Sequence, residues 1–273
     1  MPNTLTFICV NYNNSNFTKL FLESLFLHQK EQDNINVVAI VVDNASNSDD
    51  YKNLQSNCAQ YSQVRLIRSE INLGYFGGLN VGLANLSPSI DYHVVVGNND
   101  LTFSDDFVLK LSNADYAEDI LVVAPNVITA DGFPQNPHCV TRVSAFRKFL
   151  YDIYFSNFWC SRLLTFTSSK IKAIKGRRSN NLSSISQFIH MGIGACYILT
   201  PAFFKHYSRL DGSVFLYGEE ALLAGQVMSV NGRTFYDAGL IVDHAESATL
   251  SKLPSRTTYN FGKNSYPHYR KYL

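Results

Sequence analysis

Short apolar runs that end in clusters of Asn, Asp and Ser constrain the fold of this chain more than any other feature. Residues 94–97 are Val-Val-Val-Gly, and Asn98, Asn99 and Asp100 follow at once. β-branched runs of this length predict buried strands. Because helical patterns separate the runs, we predict an α/β fold with a mostly parallel central sheet flanked by helices. The polar clusters would then meet at the carboxyl edge of the sheet, where open α/β sheets bind ligands.

The same pattern predicts the individual elements over most of the chain. We predict strands at residues 5–10, 37–42, 64–68, 92–97, 120–124 and 194–200, and helices at residues 17–28, 77–86 and 219–230, with a short helix opening at Pro201. Residues 140–178 interrupt the alternation with aromatic side chains at loose helical spacing. We therefore expect one domain that carries a helical insertion and a tail.

Charge is distributed unevenly along the chain. The net charge of +1 gives no general argument for binding nucleic acid, and we expect none. Residues 140–178 nevertheless hold nine Lys and Arg against the single acid Asp152, and the tail from Ser251 holds five bases and no acid. An acidic body with two basic aromatic segments is a real asymmetry.

Cysteine usage and hydropathy indicate the compartment. The five cysteines are scattered and form no CxxC pair, which favours reduced thiols, a cytosolic protein and no zinc site. The first residues lack the pattern of a signal peptide, and no apolar run approaches the roughly 20 residues that span a bilayer. We expect a protein that is soluble or peripheral to a membrane.

Two segments could bind a phosphorylated ligand. Asp100 after two amides suits a hard cation that takes further ligands from phosphates, although Asn and Asp are also ordinary turn residues. The glycine-rich residues 72–82 could bring backbone amides to an anion at a helix start, or could simply need positive φ. Neither the GxGxxG fingerprint nor a P-loop is present, which disfavours dehydrogenases and P-loop NTPases.

Three further segments carry titratable groups at element ends. Asp43 could accept a hydrogen bond from a base or ribose, or could cap the next segment. Glu219 and Glu220 begin a helix, where they gain from its dipole, and either could act as a general base. His244 could ligate a metal through a neutral imidazole, or could be structural.

In order and spacing these pieces resemble the family-2 glycosyltransferases, particularly the bacterial rhamnosyltransferase-like branch. The match runs from Thr6 to Lys271, and residues 140–189 are the least comparable part. The segments that carry it are Val10-Asn11-Tyr12-Asn13 and residues 41–46, 72–82, 96–100, 192–196, 211–220, 244–247 and 259–271.

The resemblance implies a GT-A fold and an inverting glycosyltransferase. It implies a nucleotide-sugar-binding half at residues 1–125, an acceptor half at 126–250 that includes the insertion at 140–189, and a basic aromatic tail at 251–273. The donor would be a nucleotide sugar of the dTDP-rhamnose or UDP-hexose type, with Mg²⁺ or Mn²⁺ as cofactor. The acceptor would be a saccharide or lipid-linked saccharide of a bacterial surface polysaccharide, such as an O-antigen or capsule.

The matching motifs also imply roles for single residues. Asp43 would hold the nucleobase, Tyr12 and Asn80 would line the nucleotide, and Asp100 would bind the metal. Glu220 would be the catalytic base, with Glu219 beside it. The other predicted site residues are Val10, Asn11, Asn72, Gly74, Gly78, Asn98 and Asn99 for the nucleotide sugar and His244 for the metal.

The chain departs from the family pattern at three positions. Asn98 stands where the metal motif often begins with Asp, and Glu220 stands where the family usually has Asp. Gln226 replaces the usual Arg six residues after the Glu pair. Because a shift of about 1 Å in a base can cost roughly 100-fold in rate, Glu220 also favours an alternative, a catalytically silent nucleotide-sugar-binding subunit of an assembly complex. A nucleotidyltransferase is disfavoured because its Gly-rich N-terminal signature is missing.

The two basic aromatic segments predict a location. Lys and Arg near anionic lipid contribute about 1 kcal/mol each, and aromatic rings favour the headgroup layer. We expect a cytoplasmic protein that docks on the inner face of the cytoplasmic membrane. The alternative is a subdomain that packs its aromatic side chains inside and only displays its charge.

Overall fold

The computed structural model describes residues 3–27, 35–86, 91–175, 184–246 and 255–273, without the side chains of residues 3, 167–175 and 255. Of the predicted features, the helix end at His28, the bases Arg177, Arg178 and Lys252 and the motif end at Ser247 lie outside these residues.

Strands and helices alternate through the first half of the chain, as predicted. The strands are β1 (Asn3–Asn11), β2 (Ile35–Asn44), β3 (Val64–Ser69), β4 (Val94–Asn98), β5 (Leu101–Phe103), β6 (Ile120–Thr129), β7 (Gln187–Ile189), β8 (Cys196–Leu199) and β9 (Arg233–His244). The helices are α1 (Ser15–Phe26), α2 (Ser48–Cys58), α3 (Tyr75–Leu83), α4 (Phe107–Ser112), α5 (Ala145–Ser156), α6 (Phe158–Lys175), α7 (Pro201–Phe204), α8 (Glu219–Ser229) and α9 (Ser255–Tyr269).

The strands form one sheet in the order β3-β2-β1-β4-β8-β6-β9-β5, with β7 paired to β9. The pairs among β3, β2, β1 and β4 are parallel. Beyond β4 the sheet is mixed, because β8 is antiparallel to both β4 and β6, and β9 is antiparallel to β5 and β7 but parallel to β6. The prediction of a mostly parallel sheet therefore holds for the first four strands, whereas β6 with β9 is the single parallel pair among the other described pairings.

Both faces of the sheet are covered, which explains why its strands are continuous apolar runs. Neighbours on β1 point to opposite faces: Phe7 packs in one buried cluster with Phe21 of α1, and Ile8 packs in another with Leu79 of α3. The register places Asn11 beside Asp43 and Val10 beside Asn98. The polar clusters therefore meet at one edge of the sheet, as predicted.

The basic aromatic insertion is helical, as predicted, and it packs against the tail. The ring of Phe155 on α5 lies 4.6 Å from that of Tyr266 on α9. Asp152 accepts hydrogen bonds from Tyr266 Oη at 2.7 Å and from Arg270 Nε at 2.6 Å, and these bonds lower its pKa to about 2. The only acid of the insertion thus joins the two basic segments into one layer beside α8. Among the described helices, none has the length and apolar character needed to cross a membrane.

Candidate functional site

A cavity of about 600 Å³ opens at the carboxyl edge of the parallel strands. It is bounded by the ends of β1 and β4, the glycine-rich loop before α3, the start of α8 and the end of β9. The predicted site residues that line it are Val10, Tyr12, Asn72, Gly74, Asn98, Asn99, Asp100, Glu219, Glu220 and His244. Strand ends that are far apart in sequence therefore converge on one cavity, whose size is typical of small-molecule sites.

Four predicted residues do not line this cavity: Asn11, Asp43, Gly78 and Asn80. Asn80 donates from Nδ2 to the carbonyl of Leu210 at 2.9 Å and accepts from its amide at 2.8 Å, so it fastens α3 to the segment before α8. A Cβ at Gly78 would lie 3.0 Å from the side chain of Val10, so this glycine lets α3 pack closely on β1. The structure gives both residues packing roles, and their predicted contacts with a nucleotide stay predictions.

Asn11 is a buried hub beneath the cavity. Its Nδ2 donates to Asp50 Oδ2 at 2.8 Å and lies 3.3 Å from Asp43 Oδ1, and its Oδ1 accepts from Asn99 Nδ2 at 3.1 Å. Burial opposes ionisation of Asp50, but hydrogen bonds from Asn11 and Ser15 outweigh it and lower the pKa of that carboxyl. Asn11 therefore positions Asn99 on the cavity wall without lining the wall itself.

Asp43 lies behind the wall and is fully buried. Its Oδ2 accepts from the amide of Ser46 at 3.3 Å and lies 3.5 Å from Arg68 Nε. The guanidinium of Arg68 in turn lies over the ring of Tyr51, 4.0 Å from its centroid. In this arrangement Asp43 holds Arg68 and the turn after β2, and its predicted contact with a nucleobase stays a prediction.

The loop before α3 is held by Asn44, a residue that the sequence argument missed. Asn44 Nδ2 donates to Asn72 Oδ1 and to the carbonyl of Gly74, both at 3.0 Å, and its Oδ1 accepts from the amide of Leu73 at 2.9 Å. Gly74 has φ +76°, and a Cβ there would lie 2.2 Å from the carbonyl oxygen of Phe215. The loop needs glycine at this point because it lies directly against the segment before α8.

The candidate metal ligands Asp100 and His244 are neighbours. His244 Nε2 lies 3.3 Å from Asp100 Oδ1 and 3.3 Å from Asn98 Nδ2. On the far side of the ring, His244 Nδ1 lies 2.8 Å from Oε1 of Gln135. The amide of Gln135 is oriented by Glu246, to whose Oε1 its Nε2 donates at 2.8 Å. Gln135 Oε1 therefore accepts from Nδ1–H, which leaves the lone pair of Nε2 facing Asp100.

Asp100 and His244 together suit a divalent cation that takes its other ligands from phosphate groups. Within the described part of the chain no group of three or more His, Cys, Asp or Glu side chains could form a complete protein cage. Asp100 and His244 offer one carboxylate and one imidazole nitrogen at the cavity wall. Magnesium typically keeps waters and binds through one or two carboxylates plus substrate phosphates, so two protein ligands are sufficient.

The two glutamates at the start of α8 have different surroundings. Glu219 is buried, and burial together with the neighbouring Glu220 raises its pKa to about 8. Its Oε1 has no hydrogen-bond partner among the described residues. Glu220 is half-buried, and its Oε1 accepts from the amide of Gly194 at 3.3 Å. Glu220 is thus the more accessible of the two carboxylates, whereas burial and the neighbouring Glu220 favour the protonated form of Glu219 by raising its pKa.

Gln226, which replaces a usual Arg, keeps a structural role on α8. Its Oε1 accepts from the amide of Asp211 at 2.8 Å, and its Nε2 donates to the carbonyl of Arg209 at 3.1 Å. These bonds hold the segment that leads to Glu219 and Glu220.

Comparison with known proteins adds a family. The model of Glycosyl transferase family 2 matches residues 6–174. The low-salt glycan biosynthesis hexosyltransferase Agl10 of Haloferax volcanii is 24% identical over 182 residues, which are 66% of this chain and 50% of that protein. The chain therefore spans about half the length of this curated relative.

Solved structures share the fold at low identity. GalNAc-T7 with UDP, GalNAc and Mn²⁺ has a TM-score of 0.56 at 11% identity, over 90% of this chain and 44% of that one. The mannosyltransferase PcManGT of Pyrobaculum calidifontis with GDP-Man and Mn²⁺ has a TM-score of 0.53 at 14% identity, over 92% of this chain and 57% of that one. S. aureus TarS 1-349 has a TM-score of 0.55 at 11% identity, over 89% of this chain and 60% of that one. The predicted GT-A fold is confirmed.

Proposed function

This chain belongs to glycosyl transferase family 2, and on that premise we propose that it transfers a sugar from a nucleotide-sugar donor to a hydroxyl of a saccharide acceptor. The observation that carries the proposal is the cavity that Asp100, His244 and Glu220 line together at the carboxyl edge of the sheet. Such a transfer needs a place for the charge of a diphosphate and a base for the acceptor hydroxyl. These three side chains offer both.

The donor would lie in this cavity. The wall offers the exposed aromatic side chain of Tyr12 and the amides of Asn14 and Asn72, which suit the rings and hydroxyls of a nucleoside. Two structural relatives are complexes with UDP and with GDP-Man. A donor of the dTDP-rhamnose or UDP-hexose type fits the resemblance of the motifs to the rhamnosyltransferase-like branch.

Asp100 and His244 would hold Mg²⁺ or Mn²⁺. When bound, the cation would neutralise charge on the leaving diphosphate. Gln135 fixes the tautomer and orientation of His244 through Nδ1. Both relatives named with a nucleotide also carry Mn²⁺.

Glu220 would take the proton of the acceptor hydroxyl. It lines the cavity, it is half-buried, and the amide of Gly194 steadies one of its oxygens. Glu219 is less suited because it is buried and its raised pKa favours the protonated form, which cannot accept a proton. Inversion at the anomeric carbon would follow from attack on the face opposite the leaving diphosphate.

The acceptor would be a lipid-linked saccharide of a bacterial surface polysaccharide, reached from the inner face of the membrane. Three aromatic side chains of the α5–α6 hairpin support docking on a membrane: Phe146, Phe149 and Trp159 are 68%, 57% and 76% exposed. Arg147 lies among them and is also exposed. The hairpin therefore packs part of its aromatic side chains against α9 and presents the rest with basic charge, as a membrane-docking surface requires.

A donor screen tests the proposal. We expect dTDP-rhamnose, a UDP-hexose or a GDP-hexose to raise the Tm in the presence of Mn²⁺, by the equivalent of about 2.7 kcal/mol at 100 times its Kd. Free monosaccharides at the same concentration serve as the control. Release of the nucleoside diphosphate then separates a transferase from a silent binding subunit. No shift with any nucleotide or nucleotide sugar would contradict the proposal.

A further inference from the structure

A second cavity, of about 670 Å³, lies between the α5–α6 hairpin, α8 and α9. We call it the aromatic cavity. Its wall contains the aromatic side chains of Tyr151, Tyr154, Phe155, Phe158, Tyr259 and Tyr269. The insertion and the tail, the two segments that break the α/β pattern of the sequence, therefore build it together.

The aromatic cavity adjoins the cavity at the sheet edge. Tyr217 and Glu220 line both. Tyr217 has φ +69° and is followed by Gly218 at φ +95°, a sequence of positive φ values that turns the chain between the two spaces. The ring of Tyr269 fills the space beside Gly218, where a Cβ would lie only 2.0 Å from it. A ligand in the aromatic cavity would thus lie beside Glu220, which also lines the cavity at the sheet edge.

One polar group in this wall lacks a partner. Tyr259 is 7% exposed, and its hydroxyl is enclosed without a hydrogen-bond partner among the described residues. Its ring is held by Phe158, whose centroid lies 5.3 Å away, and by Phe155 at 6.4 Å. Buried hydroxyls are nearly always paired, so this one can still take a partner from a molecule that occupies the cavity.

The remaining wall chemistry distinguishes between two occupants. Aromatic faces suit either the C–H face of a sugar ring or an isoprenoid chain. Glu220, Arg162 and His138 also line the cavity, and an isoprenoid would leave these groups unpaired. A saccharide satisfies both kinds of wall, because it has an apolar face and hydroxyl groups at its edge.

We propose that the aromatic cavity binds the acceptor saccharide, with a sugar ring against the aromatic wall, one hydroxyl bonded to Tyr259 and the reacting hydroxyl directed to Glu220. This inference rests on the proposed function, because it names the acceptor side of the same reaction. It assigns substrate recognition to the insertion and the tail, the parts of the chain outside the sheet.

Saturation-transfer NMR on the full chain tests the proposal, with methyl glycosides of glucose, galactose, mannose, rhamnose and N-acetylglucosamine as probes. We expect at least one to bind, and Tyr259→Phe to raise its Kd about 5-fold, the scale of one hydrogen bond. Since this hydroxyl has no partner in the described protein, Tyr259→Phe should leave the Tm unchanged or higher. Tyr154→Ala, which removes one ring of the wall, should weaken binding of the same glycoside.

Tyr207→Phe is the matched control. The hydroxyl of Tyr207 donates to the carbonyl of Gln226 at 3.0 Å, and this residue lines neither cavity. We expect it to lower the Tm and to leave the glycoside Kd unchanged. The inference would be overturned if no glycoside bound, or if farnesyl phosphate bound in place of every glycoside. It would also be overturned if neither cavity variant weakened glycoside binding. UDP and dTDP titrated into the same samples test the proposed function separately.

Discussion

Nε2 of His244 lies 3.3 Å from Oδ1 of Asp100, and the antiparallel pairing of β5 with β9 holds the two side chains there. Leu101, the residue after Asp100, is the register partner of His244. The amide of Gln135 completes the arrangement from the other side of the ring. Two candidate metal ligands therefore face the cavity at the point where a diphosphate and its cation would bind.

Removing the carboxylate should remove the effect of the metal. Asp100→Asn keeps the size of the side chain but not its charge, so Mn²⁺ or Mg²⁺ should no longer improve UDP or dTDP binding in calorimetry. Asp105→Asn, which changes an exposed carboxylate near the same strand, is the control and should behave as wild type. An unchanged metal dependence in Asp100→Asn would place the metal elsewhere.

Removing the amide that orients His244 should weaken the metal site without touching a ligand. Gln135→Met takes away the acceptor for Nδ1–H, and loss of such a partner typically lowers metal affinity 10- to 100-fold. We expect the Mn²⁺ concentration for half-maximal UDP binding to rise by about that factor. Gln60→Met, at an exposed position after α2, is the control. The same Mn²⁺ requirement in both variants would exclude this role for Gln135.

The raised pKa of Glu219 predicts how stability depends on pH. The folded protein keeps this proton up to about pH 8, whereas the unfolded chain releases it near the ordinary value of 4.5, so stability falls as pH rises between the two. Glu219→Gln is neutral throughout. Its Tm should lie close to that of wild type near pH 5 and exceed it near pH 8, by the equivalent of roughly 3 kcal/mol.

The control for this comparison is Glu118→Gln, because the side chain of Glu118 is 90% exposed. It should show no such trend with pH. A Tm difference between wild type and Glu219→Gln that is constant from pH 5 to pH 8 would show that Glu219 ionises normally.

Docking of the α5–α6 hairpin on an anionic membrane should depend on both its basic and its aromatic side chains. Binding should appear with phosphatidylglycerol vesicles in sedimentation and fade at high salt as screening increases. It should drop when Phe149 and Trp159 become Ser, and when Lys172, Lys175, Arg177 and Arg178 become Gln. Ile71→Ser, at an apolar position that is 65% exposed elsewhere, is the control. Binding that salt does not affect, or no binding, would contradict docking while leaving the transferase proposal intact.

The sequence predicted the parallel half of the sheet because its signals are local. Each apolar run and the polar cluster after it can be recognised within a few residues, and parallel pairing then brings Asn98 and Asn11 to one edge. The sequence argument did not predict β9, whose long run alternates between buried and exposed positions. Because β9 pairs with β5, the strand pattern alone could not place His244 beside Asp100, and only the resemblance of the motifs assigned both to one metal.

Side-chain direction was the second feature that local patterns could not supply. Asp43 and Asn99 both end strands at the same edge, yet Asp43 turns inward to Arg68 and Asn99 reaches the cavity. The difference depends on Asn11, which holds both through its two amide atoms. The aromatic side chains of the insertion likewise divide between packed and exposed positions only because α9 covers one face.

The proposed reaction depends on Glu220, and turnover of the donor measures this most directly. Glu220→Gln should bind the donor nearly as well as wild type and release nucleoside diphosphate roughly 100- to 10,000-fold more slowly, the usual scale for loss of a general base. Glu219→Gln should have a smaller effect, and Glu118→Gln none. Full turnover in Glu220→Gln, with or without loss in Glu219→Gln, would contradict the assignment of the base.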